Sequence, residues 1–514
     1  MKYVQLILLF MLISFGLAAT TINVTTTTDE DNGFLGGGNG ISLREAIIYS
    51  SSGDEIVLSG STYVLTLTST EEGFNLTPGT GDLDIQHDLT ITGNGATIDA
   101  NGIDRVIQIA SGVEVVIDHV TITGGRSTFT PGVNLLTHGG GIYTEGDLTL
   151  NNCSLDDNIS ITHGGNQSSQ GGGIYNLSGV LTLNDCTISN NQAGTANQGQ
   201  HGGGIYNSTT GTLNMTGCTA LNNKANDQPL GAGDGGAVYS LGAITLTNCT
   251  FSGNTASRFG GGVTFHGDNP SLINFCTITN NTAFKGGGIF SGLDGSGDIA
   301  NTIIAGNTST DNLEDADVLN DYNSLGYNLI GIFPNANNDL PLSSDHFGTS
   351  GSPLSANLSP LASNGGPTQT HALLSNSPAL NGANPNATVT EDQRGTQRPQ
   401  DCPSDIGAYE SSLSTLSPST YYADTDMDGF GDPNNSTQAC IQPDGFVTNS
   451  SDCNDNDSAI NPDATEACDG VDNNCDTQID EGTLATYYAD SDSDGFGDPN
   501  NSTQACAQPS GFVS

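Results

Sequence analysis

The sequence predicts an all-β protein: a single-stranded right-handed parallel β-helix, or solenoid, with an N-terminal cap, followed by small Asp-rich, disulfide-containing calcium-binding repeats. Three observations support this prediction. A Gly pair, a short apolar strand and an Asn recur in tandem units between His138 and Asn307. Apolar and polar residues alternate within each unit, which indicates strands. After residue 420, Asp residues two apart are followed by Gly, a spacing that suits a hard cation.

The first residues have the pattern of a secretory signal. Lys2 precedes an apolar run from Val4 to Leu17, and the small residues Ala18 and Ala19 follow it. We assign residues 1–19 to a signal peptide and expect a protein that is secreted or lies on the outer cell surface. No later apolar run is long enough to span a bilayer, so no transmembrane segment is predicted.

Residues 20–53 are predicted to form an N-terminal strand and a capping helix. Ser42 and Glu45 precede an apolar stretch at the spacing of a capping box, which indicates the start of a helix. Such a helix would cover the open end of the first coil, where unpaired backbone groups would otherwise invite aggregation. The segment from Ile41 to Ala46 resembles the CSLREA start of many bacterial β-helix proteins, with Ile41 in place of Cys.

Residues 54–308 are predicted to form the parallel β-helix. One short unit cannot bury its own apolar face, but stacked units build a continuous core. Equivalent residues of successive units should therefore stack in columns. An Asn column can hydrogen-bond from coil to coil, and a Gly pair fits where the chain bends with no room for a Cβ. The compact inward column contains Val120, Cys153, Cys186, Cys218, Cys249, Cys276 and Thr302. The Asn column contains Asn158, Asn191, Asn223, Asn254, Asn281 and Asn307, and the Gly pairs begin at Gly140, Gly172, Gly203, Gly235, Gly261 and Gly287.

One repeat unit also resembles a known family. Gly235-Gly236-Ala237-Val238, with Phe251 and Asn254 later in the unit, is similar to the GGAI and FxxN halves of the repeat in chlamydial polymorphic outer-membrane proteins. The resemblance implies a secreted right-handed β-helix of a kind used mainly as a surface passenger or adhesin. It is specific for fold and says little about activity.

Residues 309–410 are predicted to contain the C-terminal coils and a closing segment. Gly365-Gly366-Pro367, Asp392-Gln393-Arg394-Gly395 and Asp405-Ile406-Gly407 resemble, in this order, the end of bacterial secreted β-helix proteins. A Ser/Thr/Pro linker follows at residues 411–420.

The charge balance limits the possible partners. The chain has 9 basic and 56 acidic residues and a net charge of −47. Nucleic acids and anionic membranes are therefore poor partners, and a polyuronate substrate would be repelled. Calcium ions would be attracted.

The strongest chemical signal lies in a second repeat, with residues 421–486 as copy 1 and residues 487–514 as copy 2. Copy 2 stops in mid-repeat at Ser514, so we expect further sequence. Three carboxylates at alternate positions, followed by Gly, can wrap around one hard cation. The candidate metal ligands are Asp424, Asp426, Asp428, Asp432, Asp452, Asn454, Asp455, Asp457, Asp469, Asp472, Asn474, Asp476, Asp480, Glu481, Asp490, Asp492, Asp494 and Asp498.

Residues 421–482 resemble the Asp-rich metal-binding repeat of MopE-like surface proteins, with Thr477 where that repeat usually has Gly. The family name points to copper, but this chain has no Trp and its last His is His371. Oxygen ligands favour calcium, which we predict as the cofactor. From Ser411 onward the chain has 19 Asp and Glu and no Lys or Arg, so this segment should need cations in order to fold.

The cysteines fall into two classes. The five in the repeats should be buried thiols, because stacked coils give a poor geometry for disulfides. Outside the repeats we expect Cys440–Cys453 and Cys468–Cys475, each closing a short loop in a domain that lacks a core.

Catalytic signals in the solenoid are few. Asp156 and Asp157 are the only paired carboxylates in the repeats, and neighbours on a strand point to opposite faces. We therefore predict a structural or adhesin-like protein without catalysis, whose partners are calcium ions and surface glycans or a host or neighbouring cell. The alternative is a polysaccharide-binding or polysaccharide-degrading β-helix that uses a loop patch at 126–234, on which His138 and His201 lie. Tyrosines that recur after the Gly pairs could then contact a glycan. Those tyrosines are Tyr143, Tyr175, Tyr206 and Tyr239, and a stacked structural ladder explains them equally well.

Overall fold

The structure is a computed structural model that describes residues 19–68, 79–127, 138–161, 168–194, 199–226, 232–266, 269–292, 297–320, 322–334, 341–400, 403–412, 418–439 and 442–514. The chain divides into one unit of residues 1–400 and 404–413 and a second unit of residues 401–403 and 414–514. Of the predicted signal peptide, only Ala19 lies within the described residues.

The first unit is a parallel β-solenoid, as predicted. The coils contribute strands to a 27-stranded parallel sheet that winds around the core, and those between Arg126 and Ser309 also contribute to a narrow seven-stranded sheet. Equivalent residues pair in register from coil to coil, for example Leu148 with Leu181 and Leu181 with Leu213. The repeated letters of the sequence therefore lie above one another in space.

The strands form three stacks and the narrow sheet. The first stack contains Thr21–Asn23, Asp54–Val57, Leu89–Asp99, Glu114–Thr123, Asp147–Asn151, Ile174–Asn184, Ile205–Thr216, Ala243–Thr247, Ser271–Asn274, Asp298–Ala300 and Asn323–Gly326. The second contains Thr62–Val64, Ser154–Asp156, Thr187–Ser189, Thr219–Leu221, Thr250–Ser252, Thr277–Thr279, Ile303–Ile304, Leu329–Ile330 and His346–Phe347. The third contains Leu83–Ile85, Ile107–Ile109, Ile142–Thr144, Val238–Ser240, Val263–Phe265, Ile289–Ser291 and Val318–Leu319. The narrow sheet contains Arg126–Ser127, Ile159–Ser160, Gln192–Ala193, Lys224–Ala225, Thr255–Ala256, Thr282–Ala283 and Thr308–Ser309.

A continuous apolar core fills the solenoid. Inward residues such as Leu148, Leu181 and Leu213 are completely buried, while their neighbours on the same strands are half-exposed. Each buried Leu contributes roughly 1.5–3 kcal/mol relative to an exposed one. The predicted compact column is confirmed: its five cysteines are buried free thiols. Burial raises the pKa of Cys218 and Cys249, so these thiols stay protonated.

The Asn column is also confirmed. The backbone N–H and Nδ2 of each Asn donate to Oδ1 of the Asn one coil further on, as for Asn191 and Asn223 at 3.1 and 3.0 Å. Hydrogen bonds of this kind link Asn158 through to Asn307. The column thus satisfies buried backbone groups at the turn between two sheets.

The predicted alignment of Gly235 with Gly203 of the preceding coil was wrong by one residue. Ile205 pairs with Val238, which places Gly203 opposite Gly236 rather than Gly235. A Cβ on Gly203 would lie 2.4 Å from the carbonyl oxygen of Gly236, so the close approach of coils requires glycine here. Gly235 instead takes the positive φ of the residue before the pair, at 68°.

The capping helix is confirmed as Leu43–Tyr49. Both hydrogen bonds of the capping box are present: the Ser42 side chain accepts the Glu45 backbone N–H, and the Glu45 side chain accepts the Ser42 backbone N–H. Arg44 is buried, and its guanidinium lies 2.7 Å from the Asp29 carboxylate and donates to the carbonyl oxygens of Gly81 and Asp82. Arg44 therefore ties the cap to the first coils.

The closing segment runs along the outside of the solenoid. A 3-10 helix, Leu313–Asp315, precedes the last coils, and beyond His346–Phe347 the segment is mostly turns and isolated bridges. Buried Gln393 accepts from the Thr250 hydroxyl at 2.6 Å and donates to the Thr219 hydroxyl at 2.8 Å. Side-chain contacts of this kind fasten the segment to the solenoid.

The second unit contains two small antiparallel sheets. One consists of Ser419–Ala423, Ser436–Ala439 and Phe446–Val447, and the other of Ala485–Ala489, Asp498–Ala505 and Phe512–Val513. Among the described residues of the chain, no helix is long and apolar enough to cross a bilayer.

Candidate metal centre

Three Asp-rich loops in the second unit share one hydrogen-bond pattern. In each loop the carboxylate of the first Asp accepts the backbone N–H groups of the fifth and sixth residues, at 2.7–3.2 Å. The sixth residue has a positive φ in every case. The loops begin at Asp424, Asp472 and Asp490, and their sixth residues are Gly429, Thr477 and Gly495. The predicted spacing therefore folds into the same turn three times, even where Thr replaces Gly.

The first loop contains carboxylate oxygens with no partner. Both oxygens of Asp426 and Oδ2 of Asp428 are buried and accept no hydrogen bond of standard geometry. Oδ2 of Asp452 is also buried and accepts no hydrogen bond, and Asp452 is only 3% exposed. The three residues offer oxygens within 4.8 Å of one another. Buried, unpaired and convergent carboxylates are costly without a cation, and these fit one.

The electrostatics of this group point the same way. Burial raises the pKa of Asp426, and the adjacent Asp428 carboxylate raises it further. Burial also raises the pKa of Asp452, with Asp428 and Asp426 adding to the effect. A bound cation would favour the charged forms and reverse both shifts.

Two contacts join the cluster at 452–457 to the first loop. The backbone N–H of Asp452 donates to the carbonyl oxygen of Gly431 at 3.2 Å. The Thr425 backbone N–H and hydroxyl donate to the Asp455 carboxylate at 2.8 and 2.7 Å. Asp455 thereby offers an oxygen within 4.8 Å of those of Asp424 and Asp426.

The loop from Asp472 to Asp480 is organised around a residue that the sequence analysis missed. Glu466 accepts the backbone N–H groups of Asn473, Asn474 and Asp480, at 2.8–3.0 Å. Its carboxylate holds the two ends of the loop from Asp472 to Asp480 together. Apart from Glu481, Glu466 is the only Glu after Ser411, which is the one signal that could have drawn attention to it.

The remaining predicted ligands divide by role. Glu481 has one buried oxygen without a partner, and its other oxygen accepts from Nδ2 of Asn474 at 2.7 Å. Asp490, Asp492 and Asp494 offer oxygens within 4.8 Å of one another. The other predicted Asp residues accept nearby backbone N–H groups and stabilise turns; they are Asp432, Asp457, Asp469, Asp476, Asp480 and Asp498.

The predicted disulfide pairings were wrong. Cys453 is bonded to Cys475, and Cys468 is bonded to Cys506. Cys440, the predicted partner of Cys453, lies outside the described residues. The prediction favoured short loops, whereas the folded chain brings together cysteines from separate clusters. Because these sulfurs are in disulfides, they are not thiolate ligands.

The first unit offers no comparable centre in its described part. Tyr143, Tyr175, Tyr206 and Tyr239 form a buried stack with ring centroids 5.0–5.4 Å apart. Of the two roles considered for these tyrosines, glycan contact or a structural ladder, the buried stack agrees with the structural ladder. His138 and His201 stack on this ladder, and burial lowers the pKa of His201 to about 4. The tips of the predicted loop patch, at 128–137, 162–167, 195–198 and 227–231, lie outside the described residues.

Fold and site together define a parallel β-solenoid followed by an Asp-rich unit with a candidate cation centre. The family model Cu-binding MopE, a metal-binding motif, matches residues 452–481. No curated protein matches the chain. Among solved structures, the crystal structure of pectate lyase Pel9A is similar, with 12% identity, a TM-score of 0.39, and coverage of 77% of this chain and 97% of that one. A likeness of this strength carries no argument about activity.

Proposed function

We propose that this protein is a secreted or cell-surface structural protein, adhesin-like and without catalysis, whose Asp-rich repeats bind calcium. The observation that carries the proposal is the set of unpartnered, buried carboxylate oxygens shared by Asp426, Asp428 and Asp452. Carboxylates that a fold buries and leaves without hydrogen bonds are explained by a cation that neutralises them.

Calcium suits this donor set better than copper does. Calcium takes six to eight oxygen ligands in an adjustable geometry, and the convergent groups here offer carboxylate oxygens. Copper prefers imidazole or sulfur, but the second unit has no His and its described cysteines form disulfides. The matched motif supports a metal, and the chemistry of the oxygens supports calcium.

The solenoid supports an extracellular structural role. Its described residues form a rigid stack with a continuous apolar core and a closing segment fastened along its side. The buried tyrosine ladder presents no aromatic platform for a glycan. Disulfides in the second unit agree with an oxidising compartment, and the apolar N-terminal run supports export.

Calorimetric titration of the full chain tests calcium binding. Metal-free protein should bind calcium with heat and gain order in its circular dichroism spectrum, whereas copper(II) at the same concentration should not compete. A titration with no heat and no change in thermal stability would contradict the proposal. Location is tested separately, because protease added to intact producing cells, or assay of the medium, should find the protein outside the cell.

A further inference from the structure

We propose that Asp426 is a bridging carboxylate that holds two calcium ions side by side in the first Asp-rich loop. This inference rests on the proposed calcium binding and deepens it by assigning the number of ions and the residue that couples them. One ion would lie among Asp424, Asp426 and Asp455, and the other among Asp426, Asp428 and Asp452.

Asp426 belongs to two groups of convergent carboxylates. Its oxygens lie within 4.8 Å of those of Asp424 and Asp455 in one group, and within 4.8 Å of those of Asp428 and Asp452 in the other. Asp426 is thus the residue that the two groups share. A carboxylate has two oxygens, each with free lone pairs, and can ligate two cations at once.

The hydrogen bonds single out Asp426. Each of the other four carboxylates uses at least one oxygen to accept a backbone N–H, whereas both oxygens of Asp426 are buried and accept no hydrogen bond of standard geometry. The others therefore hold the loop in shape, and Asp426 points into the centre without a structural task. Asp452, which is buried, offers its unpartnered Oδ2 to the same group.

Charge favours two ions over one. The five carboxylates carry a formal charge of −5, and the chain has no Lys or Arg after Ser411. One calcium would leave −3 in a partly buried cluster, and two would leave −1. Unneutralised charge at this distance opposes folding, so the second ion should bind as the first completes the loop.

The second copy of the repeat provides a natural comparison. Asp490, Asp492 and Asp494 form one group, and Asp492 is exposed whereas Asp426 is half-buried. Among the described residues no second group includes Asp492. In the 514-residue chain Asp492 therefore belongs to one group of carboxylates, which makes it a matched control for Asp426.

The test counts calcium ions bound per full chain, by equilibrium dialysis, in the wild type, in Asp426→Ala and in the matched control Asp492→Ala. Asp426→Ala should lose two ions and Asp492→Ala one. Because the Asp426 side chain accepts no hydrogen bond of standard geometry, its replacement should remove little structural support, and circular dichroism and intact disulfides would verify that the variant keeps its fold. Energy transfer between bound terbium and europium should be strong in the wild type and in Asp492→Ala and be lost in Asp426→Ala.

Equal losses from the two variants, or energy transfer that persists in Asp426→Ala, would overturn the bridging role and leave calcium binding intact. A wild-type chain that binds no calcium would overturn the proposed function instead. If Asp426→Ala unfolds, the calcium ions bound by Asp424→Ala and by Asp452→Ala test the two-ion arrangement instead. Each should lose one ion and keep the other, and a variant of either residue that loses none would also contradict the inference.

Discussion

The Asn307 side chain donates a hydrogen bond to the carboxylate of Asp317, with Nδ2 and Oδ1 2.9 Å apart. Asp317 thereby takes the place that the next Asn would have in the column. Every amide in the column directs its N–H toward this end of the solenoid, so a carboxylate meets the positive end of a row of aligned dipoles.

The titration of Asp317 should make the solenoid less stable as the pH rises. Burial raises its pKa to about 6, from 3.8, although Asn307 and Ile332 donate to it. A carboxyl group whose pKa is higher in the folded state stabilises fully below pH 3.8, and that contribution is lost as the pH rises through 6. Relative to Asp317→Asn, wild-type protein should lose on the order of 3 kcal/mol between pH 4 and 7. Denaturant unfolding of both proteins across this range measures it, and parallel pH profiles would refute it.

Removing one side-chain amide from the Asn column should lower the free energy of unfolding more than removing an exposed side chain does. Asn223 Nδ2 donates to the Ile188 carbonyl and to Asn254, and its Oδ1 accepts two N–H groups of Asn191. Asn223→Ala would leave these buried groups unpaired, at a cost of about 2–4 kcal/mol. Chemical unfolding of the variant measures the loss, with exposed Thr245→Ala as the control, expected within about 0.5 kcal/mol of wild type. Similar losses in both variants would show that the column adds little.

Gln393 should be essential to the attachment of the closing segment. Its buried side chain bonds the Thr219 and Thr250 hydroxyls and the Cys218 carbonyl oxygen. Gln393→Ala should lower the free energy of unfolding by about 2–3 kcal/mol and speed proteolysis of residues 353–411. The matched control is exposed Gln397→Ala, which should resemble wild type in both assays. An unchanged proteolysis rate for Gln393→Ala would contradict the role of this contact.

Replacing Thr477 by Gly should stabilise the Asp-rich loop that begins at Asp472. Thr477 has a φ of 74°, a conformation that is strained for a β-branched residue and open to Gly. The expected gain is about 1 kcal/mol. It would appear as a higher melting temperature of the second unit in the calcium-loaded chain. Thr437→Gly is the matched control, because Thr437 lies within the strand Ser436–Ala439 and its replacement should destabilise. A lower melting temperature for Thr477→Gly would mean that other contacts of Thr477 outweigh the strain.

The sequence by itself determined the solenoid, its cap and the Asp-rich turns. Repeats with a period-two pattern bury their apolar face by stacking on one another. Stacking places the equivalent Cys and Asn residues of successive repeats in columns. The Ser42–Glu45 box and the Asp-x-Asp-x-Asp-Gly turns depend only on neighbours a few residues apart, and short-range spacing specifies such structures completely.

Only the tertiary structure decided the features that join distant parts of the chain. The disulfides Cys453–Cys475 and Cys468–Cys506, the bracing by Glu466, the meeting of Asp452 with Asp426 and the burial of the tyrosine ladder all belong to this group. The column ends at Asp317 because a loop returns there, although no repeat spacing marks that position. The physical reason is that these contacts depend on distances in space, which the order of residues along the chain does not record.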